Sequence, residues 1–298
     1  MSIHILGLGS IGILTAHLLR ISNPLLKIYC LPRQSSSFPV MYSVYHLDGI
    51  VSPISNLVDD TCRTMPIDIL LITTKAHHTR VAIEPYTKRI TGDTLSIFLQ
   101  NGIGAVDSVR DILPTTRLVL GTTTHAVKRF QPHQIQWIFK GETLFSPEPP
   151  TILSSYESQV LAALGQIITF SGLEDRLYRK LALNACINPV TGIYNVQNGS
   201  VADPSSPAHD LSQRISNEIQ RVYAVCTPEL DISRLSEDVM KLARDTAGNT
   251  SSMLADVLAG RETEIDFING QIVKMGKSVE VHVPENELVV RRIKEWNT

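Results

Sequence analysis

The chain has almost no excess of charge of either sign. Its 298 residues hold 27 Lys and Arg against 29 Asp and Glu, a formal net charge of -2. That balance gives no electrostatic reason to expect a nucleic acid or an anionic membrane as partner, and leaves small molecules and other proteins. Cysteine is scarce as well. The four cysteines, at positions 30, 62, 186 and 226, form neither a C-x-x-C pair nor a metal-ligand spacing, and three lie in apolar surroundings. They read as reduced, buried thiols of a cytosolic-type protein, with no metal site. No internal repeat is found, and no low-complexity run longer than the three serines at 35–37. Long hydrophobic runs are missing too: the opening stretch IHILGLGSIGILTAHLL is apolar for seventeen residues, short of the roughly 20 needed to span a bilayer, and no basic segment precedes it. With its first strand at residue 3, the chain is expected to carry no removable presequence and to be cytoplasmic.

What is present begins with a glycine turn. IHIL reads as a buried strand, GLGSIG as a tight turn, IGILTAHLLRIS as a helix stopping before Asn23-Pro24, and LLKIYCL as a second strand. In this setting Gly7 permits the turn, Gly9 lets the backbone approach a pyrophosphate, and Gly12 lets helix and strand pack closely, with Leu8, Ser10 and Ile11 completing the loop at a helix N-terminus that favours an anion. Further strands are predicted at IDILLITT, LSIFLQ and RLVLGTT, with helix-compatible segments HHTRVAIEPYTKRI and AVDSVRDIL between them. Such alternation implies a mostly parallel sheet covered by helices. QIQWIFKGETLFS suggests a β-hairpin around Gly141, and a last helix of this half is predicted near 155–168. From about residue 173 strand signals nearly vanish. Helical windows at 174–188, 208–226, 233–246, 250–275 and 285–296 replace them. The expected fold is therefore α/β: an N-terminal Rossmann dinucleotide-binding domain over residues 1–172, then a mainly α-helical domain over 173–298.

One further absence bears on the cofactor. A site for NAD usually ends its second strand on Asp or Glu, which holds the ribose 2′-hydroxyl. That position falls near Cys30, and no carboxylate occurs before Asp48. The strand runs instead into CLPRQSSS, where Arg33 and several hydroxyls suit a 2′-phosphate. NADPH is the expected cofactor.

The segment KLALNACINP, residues 180–189, interrupts an apolar helix with one lysine and two amides. Steps of four residues return to nearly the same helix face, so Lys180, Asn184 and Asn188 form a polar stripe roughly 12 Å long. Such a stripe is either polar glue or a ligand surface. Isolated polar groups recur in Asn101 of IFLQNGIG and Lys75 of ITTKAHH, both at strand ends, and in Ser252 and Glu264, twelve residues apart on a segment read as helical.

Together these motifs resemble the ketopantoate reductase (2-dehydropantoate 2-reductase) family. The likeness runs from GLGSIG through NGIG, GTTTHA, RKLALNACINPVTGIYNVQNG and SSMLADVLAGRETEIDFING to VPEN, in order and over nearly the whole chain. The resemblance implies a Rossmann domain, a helical domain and a cleft between them. It implies Lys180 as the catalytic lysine that donates a proton to the carbonyl oxygen, and Glu264 as an acidic residue of cofactor and active site. Asn184, Asn188, Asn198 and Ser252 match substrate-binding positions, and Asn101 a residue near both ligands. Gly7 to Gly12, Arg33, Lys75 and Ala126 match the cofactor site. His77 and His78 stand where bacterial members often carry an aromatic residue and a glutamine, and His125 reads as a structural histidine.

The implied reaction is NADPH-dependent reduction of 2-dehydropantoate to (R)-pantoate in pantothenate and coenzyme A biosynthesis. Hydride addition creates an alkoxide, so an acid or cation must meet the oxygen, and amides bind a carboxylate or hydroxyl without competing charge. Two alternatives stand beside it: a related NADPH-dependent reductase of another 2-oxo acid or ketone, and a non-catalytic NADPH-binding regulatory paralogue. The β-hydroxyacid dehydrogenases share a K-x-x-x-N helix, but their glycine-rich substrate motif is missing here. A small-molecule 2-oxo acid is the expected partner, and the protein is expected to be a monomer or homodimer.

Overall fold

The computed structural model describes residues 1–31, 41–55, 57–60, 64–113, 117–131 and 133–296. Two compact units emerge. The first comprises Met1–Gln100 and Ala105–Glu174, the second Asn101–Gly104 and Asp175–Thr298.

In the first unit, β1 (Ile3–Leu6), α1 (Ser10–Ser22) and β2 (Ile28–Leu31) open the chain. The strands β3 (Tyr42–Tyr45), β4 (Val51–Ile54), β5 (Leu57–Asp59) and β6 (Ile69–Ile72) follow, then α2 (Thr79–Ile83) and β7 (Leu95–Phe98). Next come β8 (Arg117–Thr123), β9 (Ala126–Gln131), β10 (Gln134–Phe139), β11 (Thr143–Pro147), α3 (Ser155–Leu164) and β12 (Gln166–Ile167). The main sheet has the order β12-β11-β8-β7-β6-β1-β2-β5, and β3, β4, β9 and β10 form a second sheet. Strands β1, β6 and β7 are buried along their whole length, which is why they read as mainly apolar runs, broken only by the buried His4 and Ser96, and show no solvent-facing alternation. The sheet is parallel from β5 to β8. Because β1 lies between β2 and β6, chain order reverses there. Open α/β sheets bind ligands at the carboxyl ends of the strands flanking such a reversal.

Three expectations for the first unit need correction. The strands β3, β4 and β5, with the second sheet they help build, have no counterpart in the sequence reading, because each is only three or four residues long and β4 contains Pro53. The hairpin does not turn at Gly141. Residues 117–147 form one long antiparallel ribbon whose outer half, β9 and β10, pairs in the second sheet while its base, β8 and β11, pairs in the main sheet. The chain reverses between Gln131 and Gln134, where His133 has a φ of +68°. Gly141 instead marks the passage between sheets, where Thr124 N–H donates to the Glu142 carbonyl at 2.9 Å. AVDSVRDIL supplies only a 3-10 turn at Asp107–Val109. There Ser108 Oγ donates to the Ala105 carbonyl at 2.6 Å, a local side-chain bond that competes with helix propagation.

The second unit consists of α4 (Phe170–Tyr194), α5 (Pro207–Cys226), α6 (Leu235–Asp245), α7 (Ser252–Leu258), α8 (Asn269–Ser278) and α9 (Pro284–Glu295), the chain entering it within α4 after Glu174. Its core gathers the apolar sides of α4 (Leu181, Ala185, Cys186), α5 (Ile215, Ile219, Val222) and α9 (Val289, Ile293). The single helix expected over 250–275 is broken: α7 ends at Leu258, and a 3-10 turn at Ile265–Phe267 precedes α8. Gly260 adopts a φ of +60°, and Arg261 N–H and Nε both bond to Asp256 at the end of α7, which satisfies the helix end and stops it. Cys30 and Cys186 are buried, Cys226 is partly so, and all three are free thiols. Among the described residues, no helix is long and apolar enough to cross a membrane.

Candidate active site

In the first unit the glycine loop leaves the carboxyl end of β1. Gly7 takes a φ of +97°. At Gly12 a Cβ would lie 2.1 Å from the Gly7 carbonyl oxygen and 2.7 Å from Thr73 Oγ1, so only glycine lets α1 start this close to the strand. Thr73, just past β6, fastens the turn by donating to the Gly7 carbonyl at 2.6 Å. Around Gly9, the residue preceding α1, a Cβ would meet no described residue within 4 Å. Among the described residues no side chain caps that helix end, and no acidic residue stands in its first turn. The amides of Ser10 and Ile11 and the positive end of the α1 dipole therefore offer an anion-binding surface. Leu8 packs against the sheet core.

Lys75 follows β6 at the same edge, as the residue preceding a 3-10 turn, Ala76–His78. Gln100, after β7, ties this edge together, its Nε2 donating to the Thr74 carbonyl and hydroxyl, each at 3.1 Å, and to Thr79 Oγ1. The His77 and His78 rings meet edge to face at 4.1 Å. Ala126 opens β9. His125 packs edge to face on Trp137 at 5.2 Å, and burial lowers its pKa, assisted by Lys140. Arg33 lies outside the described residues. At the end of β2, Cys30 is fully buried and pairs in register with Asp59 of β5.

The second unit assembles the lysine. Lys180 Nζ donates to Asn101 Oδ1 at 3.0 Å. Asn101 reaches it because its loop lies against the turn after Glu264: Ile103 N–H donates to the Phe267 carbonyl at 3.3 Å, and a Cβ on Gly102 would come within 2.3 Å of that oxygen. Glu264, only 4 % exposed, immediately precedes this turn. Burial pushes the Lys180 ammonium down to about 8, while the Glu264 carboxylate opposes the shift. A lysine so placed is protonated at neutral pH yet can release its proton, the balance a general acid requires.

Asn184 is half-buried and Asn188 is 8 % exposed, both on α4. Asn198 lies on a separate 3-10 turn, where Nδ2 donates to Thr246 Oγ1 at 3.0 Å and its backbone N–H to the Asn249 carbonyl at 3.1 Å. Ser252, the first residue of α7, is exposed. Its neighbour Ser251 is buried, caps α7 by accepting from Leu254 N–H at 3.0 Å, and meets Thr191 Oγ1 at 2.7 Å. Sequence reasoning passed over Ser251 and Thr191, although Ser251 three residues before Leu254 in an apolar run is an N-cap signal. The structure thus bonds Lys180 directly to Asn101, sets Glu264 where its charge acts on Lys180, keeps Asn184 and Asn188 on the same helix, and leaves Asn198 and Ser252 on neighbouring elements.

Comparison with known proteins gives this arrangement a family. The model described as "Ketopantoate reductase PanE/ApbA" matches residues 3–150, and "Ketopantoate reductase PanE/ApbA C terminal" matches 173–297. The 2-dehydropantoate 2-reductase of Vibrio cholerae serotype O1 is 31% identical over 232 residues, covering 76% of this chain and 77% of that one. Among solved structures, the 2-dehydropantoate 2-reductase from Geobacter metallireducens GS-15 superposes with a TM-score of 0.86 at 17% identity, covering 99% of both chains. D-mandelate dehydrogenase, solved with NADH and anilino(oxo)acetate, superposes with a TM-score of 0.84 at 22% identity, covering 100% of this chain and 98% of that one. Matched in both parts of its length and by a relative of this identity, the chain belongs to the ketopantoate reductase family.

Proposed function

We propose that this protein reduces 2-dehydropantoate to (R)-pantoate with NADPH as the hydride donor. The observation that carries the reading is the Lys180 ammonium, half-buried, bonded to Asn101 and biased by Glu264, in a chain of the ketopantoate reductase family. The glycine loop fits a dinucleotide, since a Cβ is excluded at Gly12 and no described residue crowds a Cβ at Gly9. Gly7, Leu8, Gly9, Ser10, Ile11 and Gly12 are assigned to the pyrophosphate, and Lys75, Asn101, Ala126 and Glu264 to the rest of the cofactor. Arg33 is assigned to the 2′-phosphate on its sequence position alone. When bound, NADPH supplies a hydride to the ketone carbon.

The remaining chemistry belongs to the chain. Lys180 presents its N–H to the ketone oxygen and delivers a proton as negative charge develops there, so the product leaves as an alcohol and the lysine is reprotonated from water. Asn101 holds the ammonium along one direction, which lowers the cost of aligning it. Glu264 keeps Lys180 charged at neutral pH, against the burial that lowers its pKa. Asn184 and Asn188, with Asn198 and Ser252, are assigned to the substrate's carboxylate and hydroxyl, because neutral amides and hydroxyls hydrogen-bond both without neutralising the lysine.

The test is oxidation of NADPH with 2-dehydropantoate, beside pyruvate and 2-oxoisovalerate, and with NADH as cofactor control. Rapid turnover confined to 2-dehydropantoate and NADPH is the expected outcome. Turnover of another 2-oxo acid would move the substrate, and binding of NADPH without any turnover would remove the catalytic reading. The NADH arm carries weight because Asp59 stands in register with Cys30 at the end of β2.

A further inference from the structure

The helix that carries Lys180 has a proline inside it, Pro189. Proline has no N–H, so the carbonyl four residues earlier, that of Ala185, loses its helical donor. Ala185 is fully buried, and water cannot replace that bond. The replacement comes from another element: Asn269 Nδ2, at the start of α8, donates to the Ala185 carbonyl at 3.0 Å. Asn269 is itself fully buried.

Its amide is oriented by a chain of acceptors. Asn269 Nδ2 also donates to Asn286 Oδ1 at 3.0 Å, and Asn286 Nδ2 donates to Glu218 Oε2 at 2.8 Å. A carboxylate only accepts, which turns the NH2 group of Asn286 toward Glu218 and its oxygen toward Asn269. Glu218 also accepts from the backbone N–H groups of Glu285 at 2.9 Å and Asn286 at 3.0 Å, in the first turn of α9. Asn269 and Asn286 are wholly enclosed and Glu218 is 3 % exposed, so the chain is closed to solvent.

We propose that Asn269, oriented through Asn286 by Glu218, is a positioning residue for the proposed reductase chemistry: it substitutes for the hydrogen bond removed by Pro189 and thereby fixes Lys180, Asn184 and Asn188 relative to Glu264. Ala185 lies between the stripe residues Asn184 and Asn188, and Asn269 follows Glu264 by five positions. One amide therefore clamps the weak point of α4 to the segment holding Glu264, the carboxylate whose charge acts on Lys180. The inference rests on the function proposed above only for its kinetic readout, since the clamp itself is defined without substrate.

The decisive experiment is a double-mutant cycle between Asn269→Leu and Pro189→Ala, because alanine at 189 returns a backbone N–H to the Ala185 carbonyl. Asn269→Leu is expected to lower kcat by at least about tenfold and to shift the alkaline limb of the rate profile, with NADPH affinity unchanged. Adding Pro189→Ala is expected to recover most of both, whereas Pro189→Ala alone changes little. A second readout follows the Nζ titration of Lys180 by 15N NMR without substrate. A shift in Asn269→Leu that is reversed in the double variant supports the clamp even if no 2-oxo acid is turned over, an outcome that removes the functional reading alone. If Asn269→Leu does not fold, recovery of a folded double variant supports the clamp. A loss that Pro189→Ala leaves untouched in either readout, or an Asn269→Leu protein indistinguishable from wild type, would overturn it. Glu218→Gln, which frees the orientation of Asn286, is expected to give a smaller loss in the same direction, and an effect on stability alone would overturn the orienting role.

Discussion

Lys180 Nζ donates to Asn101 Oδ1 across 79 positions of sequence, and this bond gathers a strand-end loop and a long helix onto one ammonium. In the proposed reduction, replacing Lys180 by alanine removes both the proton source and the charge that meets the alkoxide. Turnover is expected to fall by at least about a hundredfold, with NADPH affinity, read by fluorescence titration, within about twofold of wild type. An unchanged rate would remove Lys180 from the reaction.

The lysine also sets a pH dependence. Burial holds it down to about 8, and the proposed proton transfer needs the protonated form. The rate constant for reduction is therefore expected to be flat below that value and to fall about tenfold per pH unit above it. Glu264 raises the Lys180 pKa, so Glu264→Gln is expected to move this limb to lower pH. A limb that stayed in place or moved upward would separate Glu264 from Lys180.

Gly12 tests the dinucleotide loop. A Cβ there would sit 2.1 Å from the Gly7 carbonyl, so Gly12→Ala must push α1 away from the strand end. NADPH affinity is expected to weaken by at least about tenfold, measured by calorimetry, while the Lys180 titration stays in place. Full affinity in this variant would show that the loop is not the phosphate site.

Ser251 and Ser252 separate structure from ligand binding. Ser251 caps α7 and bonds Thr191, so Ser251→Ala is expected to lower stability by about 1–2 kcal/mol in urea unfolding. Ser252 is exposed at the first position of the same helix. Its alanine variant is expected to unfold within about 0.5 kcal/mol of wild type and to raise KM for the 2-oxo acid. The reverse pattern would exchange their roles.

His17 predicts an acid limit to stability. Enclosed by α1 and the second sheet, it packs against His46 at 5.4 Å and Trp137 at 6.2 Å, and burial, aided by His46, lowers its pKa to about 4. Between pH 6.5 and about 4 the unfolded chain binds the proton that the folded one refuses. Stability from this site is therefore present above pH 6.5 and is lost as pH falls toward 4. His17→Phe is expected to flatten Tm against pH over that window, and an unaltered slope would place the acid sensitivity elsewhere.

Much of this molecule was legible from local pattern. The βαβ opening, the parallel strands and most helices of the second unit declare themselves because a wholly buried strand is mainly apolar on both faces and a packed helix must repeat with its own period. The stripe of Lys180, Asn184 and Asn188 was readable for the same reason. What escaped was short or held by partners far along the chain. The strands β3 to β5 have too few residues to show a period, and the 117–147 ribbon changes sheets at Thr124 and Gly141, which no local pattern encodes.

The sequence by itself determined that α1 could start against β1, because only glycine fits at position 12, and that α4 would carry polar groups along one side, because helix geometry alone aligns them. Only the tertiary structure decided that Asn101 meets Lys180, that Glu264 sits on a turn rather than within a helix, and that Asn269 supplies the donor missing at Pro189. Those bonds join positions 79 and 84 residues apart, where the preferences of single segments carry no information about which partner they will meet.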